Sequence, residues 1–307
     1  MIIAAAAYAL DWHESWNTYE KKITEWVEGA AEAGARLLVF PEYAAVEMAS
    51  LGGKQVARDR EQAMRSVSEL MPSMDTLLRR LAARNNLVIS APTGPVFRSD
   101  NNRPVNQARL IGPGGVLGEQ DKLILTRTER EEYNIHAGEV ARIFDTELGM
   151  IGIITCYDCE FPLIARRMVE AGAAILLVPS CTGALSGYWR VRIGAMARAL
   201  ESQCIVAHSP LVGDVPWAPW LGSATGAAAI YGPPDLGFPD TGVMDEGPMG
   251  QPGWAVAEID LDAIARVREE GRVLNKAHWV EQDARLDDIQ VVAPEVASAR
   301  TRLSRAG

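Results

Sequence analysis

The sequence predicts an α/β fold in which helices cover layers of sheet. Apolar runs of strand length alternate with segments of helical periodicity, and short turns join some runs into hairpins. Apolar residues make up 48% of the 307 residues and charged residues 23%, which is typical of a globular protein with a large core. Because the sequence contains no linker-like tract and no fixed-period repeat, we expect a single domain over 1–307.

The first part of the chain alternates between strands and helices. Ile2–Tyr8 and Leu37–Phe40 are short apolar runs typical of buried strands. Between them Asn17–Gly34 has helical periodicity, with Asn17 as the expected N-cap. A second helix is predicted over Met74–Arg84. Three further strands are expected at Leu87–Ala91, Ala108–Ile111 and Gly115–Gln120.

The remainder repeats this alternation. Strands are predicted at Ile151–Thr155, Ile175–Val178, Cys204–His208, Ala224–Ile230 and Trp254–Ile259. Helices are predicted at Pro162–Ala171, Val191–Gln203 and Leu261–Glu269. The stretch Tyr231–Gly253 is rich in glycine and proline and has no periodicity, so we expect a loop there that serves function or packing.

Charge and cysteine content narrow the possible functions. The net charge of −10 gives an acidic surface that repels phosphate backbones, so we expect no nucleic-acid partner. No apolar run reaches the ~18 residues of a membrane helix, and Met1–Ala4 leads into a strand without the basic region of a signal peptide. Four cysteines are too few for a disulfide scaffold. The sequence therefore predicts a cytoplasmic protein with free thiols and no membrane association.

Three predicted strands lead into residues with catalytic potential. Glu42 follows the strand that ends at Phe40, Lys122 follows the strand over 115–120, and Cys156 follows the strand that ends at Thr155. Parallel-sheet proteins commonly place reactive groups at such strand ends. A cysteine at a strand-to-helix turn is held on rigid backbone, and the turn amides can lower its pKa and bind an oxyanion. We therefore expect an exposed, activated thiol at Cys156, although Glu42 and Lys122, each taken alone, also fit ordinary surface positions.

Two other interpretations of Cys156 agree less well with the spacing. Cys156 and Cys159 form a Cys-x-x-Cys pair, but such redox pairs usually open a helix, and here Pro162 follows three residues after the second cysteine. A zinc site built from Cys156, Cys159, Cys181 and His208 lacks the second paired motif of typical zinc sites.

Together, the three segments resemble the Glu–Lys–Cys signature of the nitrilase superfamily of carbon–nitrogen hydrolases. The matching residues stand in the family's order: Phe40–Pro41–Glu42, Asp121–Lys122, and Cys156–Tyr157–Asp158 with Phe161–Pro162. Flanking similarity occurs at Gly149–Gly152, Ala171–Ala173, Leu177–Ser180 and Arg190–Gln203. The resemblance extends over residues 1–275 and implies a four-layer α-β-β-α sandwich.

The resemblance also implies roles for these residues. Cys156 would be the nucleophile, Glu42 the general base and acid, and Lys122 with the amide of Tyr157 would stabilise the oxyanion. The expected reaction is hydrolysis of a small-molecule amide by water, without a metal or organic cofactor. Nitrile hydrolysis, acyl transfer to an amine, and a binding protein with a relic site are the alternatives.

Two further features of the family remain open at the level of the sequence. Many members carry a second glutamate that holds the lysine; Glu129 fits this role, and Glu131 is an alternative. Members form dimers through two helices, which here correspond to Pro162–Ala171 and Tyr188–Gln203, so we expect a homodimer or a higher homo-oligomer. The C-terminal tail, about 281–307, is expected to be extended or at the dimer interface.

Residues near the reactive positions are expected to bind the substrate. They are Tyr43, Tyr157, Glu160, Thr182, Tyr188, Trp189 and Arg190. Arg190, beside two aromatic residues, could hold a substrate carboxylate in a bidentate contact. Alternatively, Trp189 packs in the dimer interface and Arg190 pairs with Glu160. Better-known branches place a small or basic residue and then an arginine where Cys159 and Glu160 stand here, so the identity of the substrate does not carry over.

Overall fold

Fourteen strands form one curled, mixed sheet in this computed structural model, which describes residues 1–98, 101–285 and 291. The strands are β1 (Ile2–Ala9), β2 (Ala35–Val39), β3 (Val88–Ser90), β4 (Gly94–Arg98), β5 (Asn101–Gly112), β6 (Gly115–Asp121), β7 (Ile143–Thr146), β8 (Gly149–Ile153), β9 (Ile175–Ser180), β10 (Ile205–Asp214), β11 (Ser223–Ala224), β12 (Ala229–Tyr231), β13 (Val243–Glu246) and β14 (Gly253–Glu258). Their order along the sheet is β4-β5-β3-β2-β1-β10-β9-β8-β7. Strand β14 pairs with β1, β6 with β5, and β11 and β12 with β10.

The sheet has two halves that meet where β1 pairs with β10 in parallel, at Tyr8 opposite Leu211. Side chains along β1 alternate between two cores because successive residues of a strand point to opposite faces. Ile3 and Ala5 join the core shared with Ile151 and Ile175 of the other half, whereas Tyr8 packs among the helices. This double burial explains why β1 is an unbroken apolar run.

Helices cover both outer faces, which confirms the predicted layering. The helices are α1 (Trp16–Glu32), α2 (Gly53–Arg58), α3 (Arg60–Asn85), α4 (Arg127–Glu131), α5 (Pro162–Glu170), α6 (Leu185–Ser202), α7 (Leu261–Glu270), α8 (Asn275–His278) and α9 (Val280–Asp283). Helices α1 and α3 pack on the first half of the sheet through residues such as Ile23 and Leu78. Helix α6 packs against β10 of the second half and against α5. Among the described residues, no helix combines the length and apolar character needed to cross a membrane.

Several predicted boundaries were wrong. Ser15, not Asn17, caps α1, because the Ser15 side chain accepts from Thr18 N and Asn17 already lies in the first turn. Helix α3 begins at Arg60, well before Met74, and includes Pro72. The run predicted as one strand at Ala224–Ile230 divides into β11 and β12, and the expected loop at Tyr231–Gly253 contains β13, which pairs with β12.

The chain divides into a large compact unit, Met1–Lys276, and a second unit from Ala277 to Gly307. Helix α9 belongs to the second unit. Most of the tail for which an extended or interfacial position was predicted, 286–290 and 292–307, lies outside the described residues. The single-domain organisation therefore stays a prediction.

Candidate active site

A cavity of about 410 Å³ is lined by Glu42, Lys122 and Cys156. Each of these residues stands just beyond the end of a strand: Glu42 three residues after β2, Lys122 directly after β6, and Cys156 three residues after β8. The strand ends therefore place three distant parts of the chain around one space, as ligand sites of α/β proteins commonly do.

Cys156 occupies a strained turn at the wall of this cavity. Its φ of 51° lies in the left-handed region that non-glycine residues rarely adopt. A 3₁₀ turn, Cys156–Glu160, begins at this residue, and its Sγ lies 3.8 Å from Cys181 O. The expected exposed thiol was wrong, since only 4% of Cys156 is exposed. Burial and the nearby Glu42 carboxylate raise the pKa of the thiol well above its ordinary value, whereas the turn was expected to lower it.

Glu42 is a buried carboxylate held by three donors. Its Oε1 accepts from Lys122 Nζ at 2.8 Å and from Asn106 Nδ2 at 2.9 Å, and its Oε2 accepts from Cys181 N at 2.9 Å. Burial raises the pKa of Glu42 to about 7, against the opposing effect of Lys122. A carboxyl with this pKa can both take up and release a proton near neutral pH.

Lys122 is buried between two carboxylates. Its Nζ donates to Glu42 and, at 2.7 Å, to Glu129 Oε2. Burial acts to lower the pKa of Lys122, but Glu42 and Glu129 outweigh it and raise that pKa well above its ordinary value. Lys122 therefore remains an ammonium ion, and two of its three N–H donors are accounted for by these contacts.

The structure distinguishes Glu129 from Glu131. Glu129 is 3% exposed and closes a capping box with Thr126 at the start of α4, which points its Oε2 to Lys122. Its Oε1 accepts from Tyr43 Oη at 2.9 Å. Glu131 instead lies on the surface and pairs with Arg127 at 2.7 Å. The capping pattern Thr-x-x-Glu was the sequence signal that could have separated the two glutamates.

Two residues to which the sequence analysis gave no role connect the segments that carry Glu42, Lys122 and Cys156. The Asp158 carboxylate accepts from Ile124 N at 2.7 Å, Leu123 N at 3.2 Å and Thr155 N at 3.3 Å, and thereby joins the lysine segment to the cysteine turn. Burial raises its pKa to about 6. Asn106 contacts Glu42 directly. It was missed because β5 begins seven residues before the strand predicted at Ala108–Ile111, so Asn106 fell in a supposed loop.

The predicted substrate-binding residues fall into two groups. Tyr43, Tyr157, Glu160, Thr182 and Arg190 line the cavity, and Arg190 Nε lies 3.5 Å from Glu160 Oε1. Tyr188 and Trp189 are not among the described residues that line it. Tyr188 is fully buried and stacks on His208 with ring centroids 5.8 Å apart, and Trp189 is 46% exposed on α6.

The cysteines do not assemble into a redox pair or a metal site in the part of the chain that the structure describes. All four are free thiols, and no group of three or more potential ligands comes together there. Cys159 is fully buried with its Sγ 3.5 Å from Val191 O. His208 Nε2 contacts Ser180 Oγ at 2.9 Å, and burial lowers its pKa to about 3.

Comparisons with known proteins show what the whole chain is similar to. The family profile described as carbon–nitrogen hydrolase matches residues 3–269. A probable hydrolase, YhcX of Bacillus subtilis strain 168, is 30% identical over 259 residues, which are 84% of this chain and 50% of that protein, so the chain spans half of its length. A deaminated glutathione amidase of Synechocystis is 27% identical over 260 residues, covering 80% of this chain and 87% of that protein.

Solved structures give the same fold. A carbon–nitrogen hydrolase from Helicobacter pylori G27 superposes with a TM-score of 0.73 at 17% identity, covering 94% of this chain and 99% of the other. A mutant of an amidase from Nesterenkonia sp. AN1, with acrylamide added at its active-site cysteine, has a TM-score of 0.67 at 22% identity and covers 88% and 97% of the two chains. At these identities the likeness establishes the fold.

Proposed function

Because the chain belongs to the carbon–nitrogen hydrolase family, we propose that it hydrolyses an amide-type bond through a thioester on Cys156, with Glu42 and Lys122 as catalytic partners. The observation that carries the proposal is that these three residues line one cavity, where Lys122 bridges Glu42 and Glu129. A buried thiol, a carboxylate and an ammonium ion in this arrangement can supply a nucleophile, a base and an electrostatic contact for acyl transfer.

The first step is attack of the Cys156 sulfur on the carbonyl carbon of the substrate. Because the pKa of the thiol is raised, a base must remove its proton as the S–C bond forms, and Glu42 is the nearby carboxylate suited to this. The carbonyl oxygen becomes an oxyanion, which the third N–H of Lys122 and the amide of Tyr157 stabilise.

The second step completes the turnover. Protonated Glu42 gives its proton to the departing nitrogen, so that ammonia or an amine leaves and a thioester remains. Glu42, ionised again, then takes a proton from water as the water oxygen attacks the thioester. The C–S bond breaks, Glu42 returns this proton to the leaving sulfur, and the acid is released with the thiol restored. Glu129 keeps Lys122 charged and in place through both steps.

The cavity limits the substrate to a small molecule. We propose that Arg190, on its wall, binds a carboxylate of the substrate and exchanges its contact with Glu160 for that ligand. The similarity to a deaminated glutathione amidase favours an amide over a nitrile. Acyl transfer to an amine at the same site is the second candidate reaction.

A second copy of this chain is the partner that we propose for the outer face of α5 and α6. Leu163, Trp189 and Ile193 expose 66%, 46% and 63% of their surface there, which is a concentration of apolar surface typical of homodimer interfaces. Sedimentation of the wild type and of Ile193→Glu tests the dimer, and an unchanged mass for the variant would contradict this interface.

A cytoplasmic location is in keeping with the four free thiols.

A substrate panel tests the reaction itself. Simple amides, ω-amides bearing a carboxylate, carbamoyl compounds and the matching nitriles are assayed for ammonia release, with Cys156→Ala as the control for contaminating activity. Ammonia release from amides by the wild type but not by Cys156→Ala supports the proposal. Release from nitriles alone makes the protein a nitrilase, and transfer of the acyl group to an ordinary amine at millimolar concentration that exceeds hydrolysis makes it an acyltransferase. Turnover that survives in Cys156→Ala would overturn the assignment of the nucleophile.

A further inference from the structure

Asn106 connects the proposed base and the proposed ammonium group. It is 1% exposed on β5, and its Nδ2 donates to Glu42 Oε1, the same oxygen that accepts from Lys122 Nζ. Its main-chain carbonyl accepts from Lys122 N at 2.9 Å. One residue therefore fixes both the carboxylate of Glu42 and the backbone from which Lys122 projects.

The orientation of the Asn106 amide follows from its other neighbours. Tyr43 N donates to Thr93 Oγ1 at 3.0 Å, and a backbone N–H can only donate. The single hydroxyl proton of Thr93 is then directed to Asn106 Oδ1, at 2.7 Å. With its oxygen occupied in this way, Asn106 presents its N–H₂ group to Glu42. The hydrogen bonds therefore run from Thr93 through Asn106 to Glu42, so Asn106 is a donor and not an acceptor at Glu42.

The two oxygens of Glu42 are consequently unequal. A carboxylate offers about four lone-pair positions, two on each oxygen. Lys122 and Asn106 fill both positions of Oε1, whereas Oε2 accepts from Cys181 N and keeps one. A proton that reaches Glu42 can be accommodated on Oε2 without loss of a hydrogen bond, but on Oε1 it would displace a donor.

We propose that Asn106 is a positioning residue that reserves Oε1 of Glu42 for donors and so makes Oε2 the oxygen that carries the catalytic proton. This inference rests on the proposed function, in which Glu42 is the base. In the attack step the S–H bond of Cys156 breaks, its electron pair forms the S–C bond, and the proton bonds to Oε2. The same proton later leaves Oε2 for the departing nitrogen, so each turnover begins with Glu42 in the same protonation state and geometry.

Asn106→Leu removes the donor with little change in volume, and Asn106→Asp keeps the shape but places a second carboxylate against Oε1. The readout is the pH dependence of Cys156 alkylation by iodoacetamide, followed on the Cys156 peptide by mass spectrometry. Loss of a hydrogen bond to an ionised carboxylate raises the pKa of that carboxylate. The fall of the alkylation rate at low pH, which is the acid limb of the profile, should therefore move up by about one pH unit in the leucine variant. The aspartate variant moves further, since two adjacent carboxyls share a proton. An acid limb that stays in place in both folded variants would overturn the inference.

Gln107→Leu is the matched control. Gln107 is a buried amide on the same strand, 3% exposed, but it donates to Glu119 and Asp121, both outside the proposed catalytic group. Its removal perturbs β5 to a similar degree and should leave the acid limb unchanged; an equal shift would make the Asn106 effect structural and overturn the inference. Thermal unfolding of each variant shows that it is folded.

Glu42→Gln separates this inference from the proposed function. If the glutamine variant loses the acid limb and the Asn106 variants keep the wild-type limb, only the role of Asn106 is wrong. If Glu42→Gln itself keeps the wild-type limb, Glu42 is not the base and the proposed function fails with the inference.

Discussion

Two buried carboxylates five residues apart, Glu42 and Glu47, have similar surroundings but different proposed roles. Both follow β2, both are at most 1% exposed, and each contacts a lysine, Lys122 in one case and Lys22 in the other. Glu47 also accepts from Tyr8 Oη and Asp11 N and contacts His13 Nε2 at 3.1 Å. Its four partners join β1, α1 and the 3₁₀ turn Ala44–Gly52.

The difference lies in access. Glu47 has three partners on Oε1 and one on Oε2, and it is not among the described residues that line the cavity. Glu42 has one position left on Oε2 and lines the cavity beside Cys156. Burial of charge and several close partners are therefore common to both sites, and we infer that contact with the cavity is what allows a buried carboxylate to react. Glu47 serves instead to hold the 3₁₀ turn that follows Glu42.

The largest effect is expected at the nucleophile. Cys156→Ala should lower kcat by about 10⁴-fold or more, as removal of a covalent nucleophile does in other enzymes. Cys159→Ala, at a buried thiol three residues away, should keep most of the activity. Steady-state kinetics on the best amide and iodoacetamide labelling measure both variants. Labelling of Cys159 in place of Cys156 would reverse the assignment.

The carboxylate pair tests the comparison directly. Glu42→Gln should stay folded and lose about 10³-fold in kcat, because it removes the base. Glu47→Gln should lose about 3 kcal/mol of unfolding free energy, since it breaks a buried pair and removes one of the two carboxylates that contact Lys22. Its kcat per folded molecule should change little. Urea unfolding and kinetics on both variants check this; a stable but inactive Glu47→Gln would show that contact with the cavity is not the distinguishing property.

The pH dependence sharpens the same contrast. The proposed mechanism uses Glu42 in its ionised form, and its pKa of about 7 means that activity should fall as the pH drops below 7. At pH 6 about one tenth of Glu42 is ionised, so the rate should be about one tenth of its value at high pH. Lys122, whose pKa is raised, stays charged across this range. A kcat profile that is flat from pH 8 down to 5 would contradict Glu42 as the base.

The smallest effect is expected at the wall of the cavity. Arg190 is 61% exposed at its side chain and is held by one long contact to Glu160, so its interactions are screened by water. Arg190→Ala should raise KM for amides that bear a carboxylate by roughly tenfold and leave neutral amides unaffected. Equal losses for both classes, together with a lower melting temperature, would make Arg190 structural and leave the charge of the substrate open.

Sequence patterns predicted the alternation of strands and helices and the three strand ends that carry Glu42, Lys122 and Cys156. These depend on local order along the chain, which apolar periodicity reports. The contacts of Asn106 with Glu42 and of Thr93 with Asn106 depend on which strands become neighbours, and nothing local to either residue indicates it. The predicted start of α6 was also wrong, because the helix begins at Leu185 and not at Val191.

The prediction that Cys156 is exposed was wrong for a related reason. A strand-to-turn junction predicts a rigid position, but the depth of that position is set by other segments. The loop after β9, which supplies the carbonyl of Cys181 near Sγ, and the lysine segment held by Asp158 both close around the thiol. The raised pKa follows from this enclosure, and it makes the thiol dependent on its base.

The left-handed backbone at Cys156 has a consequence for the stability of the protein. Of the non-glycine residues with positive φ in the described chain, Asn86 and Gln203 end helices, whereas Cys156 and Tyr43, with φ of 57°, stand beside the proposed chemistry. Glycine would adopt these angles without the steric penalty of a side chain. At Tyr43 the buried ring and its contact with Glu129 offset this penalty, whereas at Cys156 glycine would relieve the strain and remove the proposed nucleophile, so backbone strain and the proposed reaction depend there on one side chain.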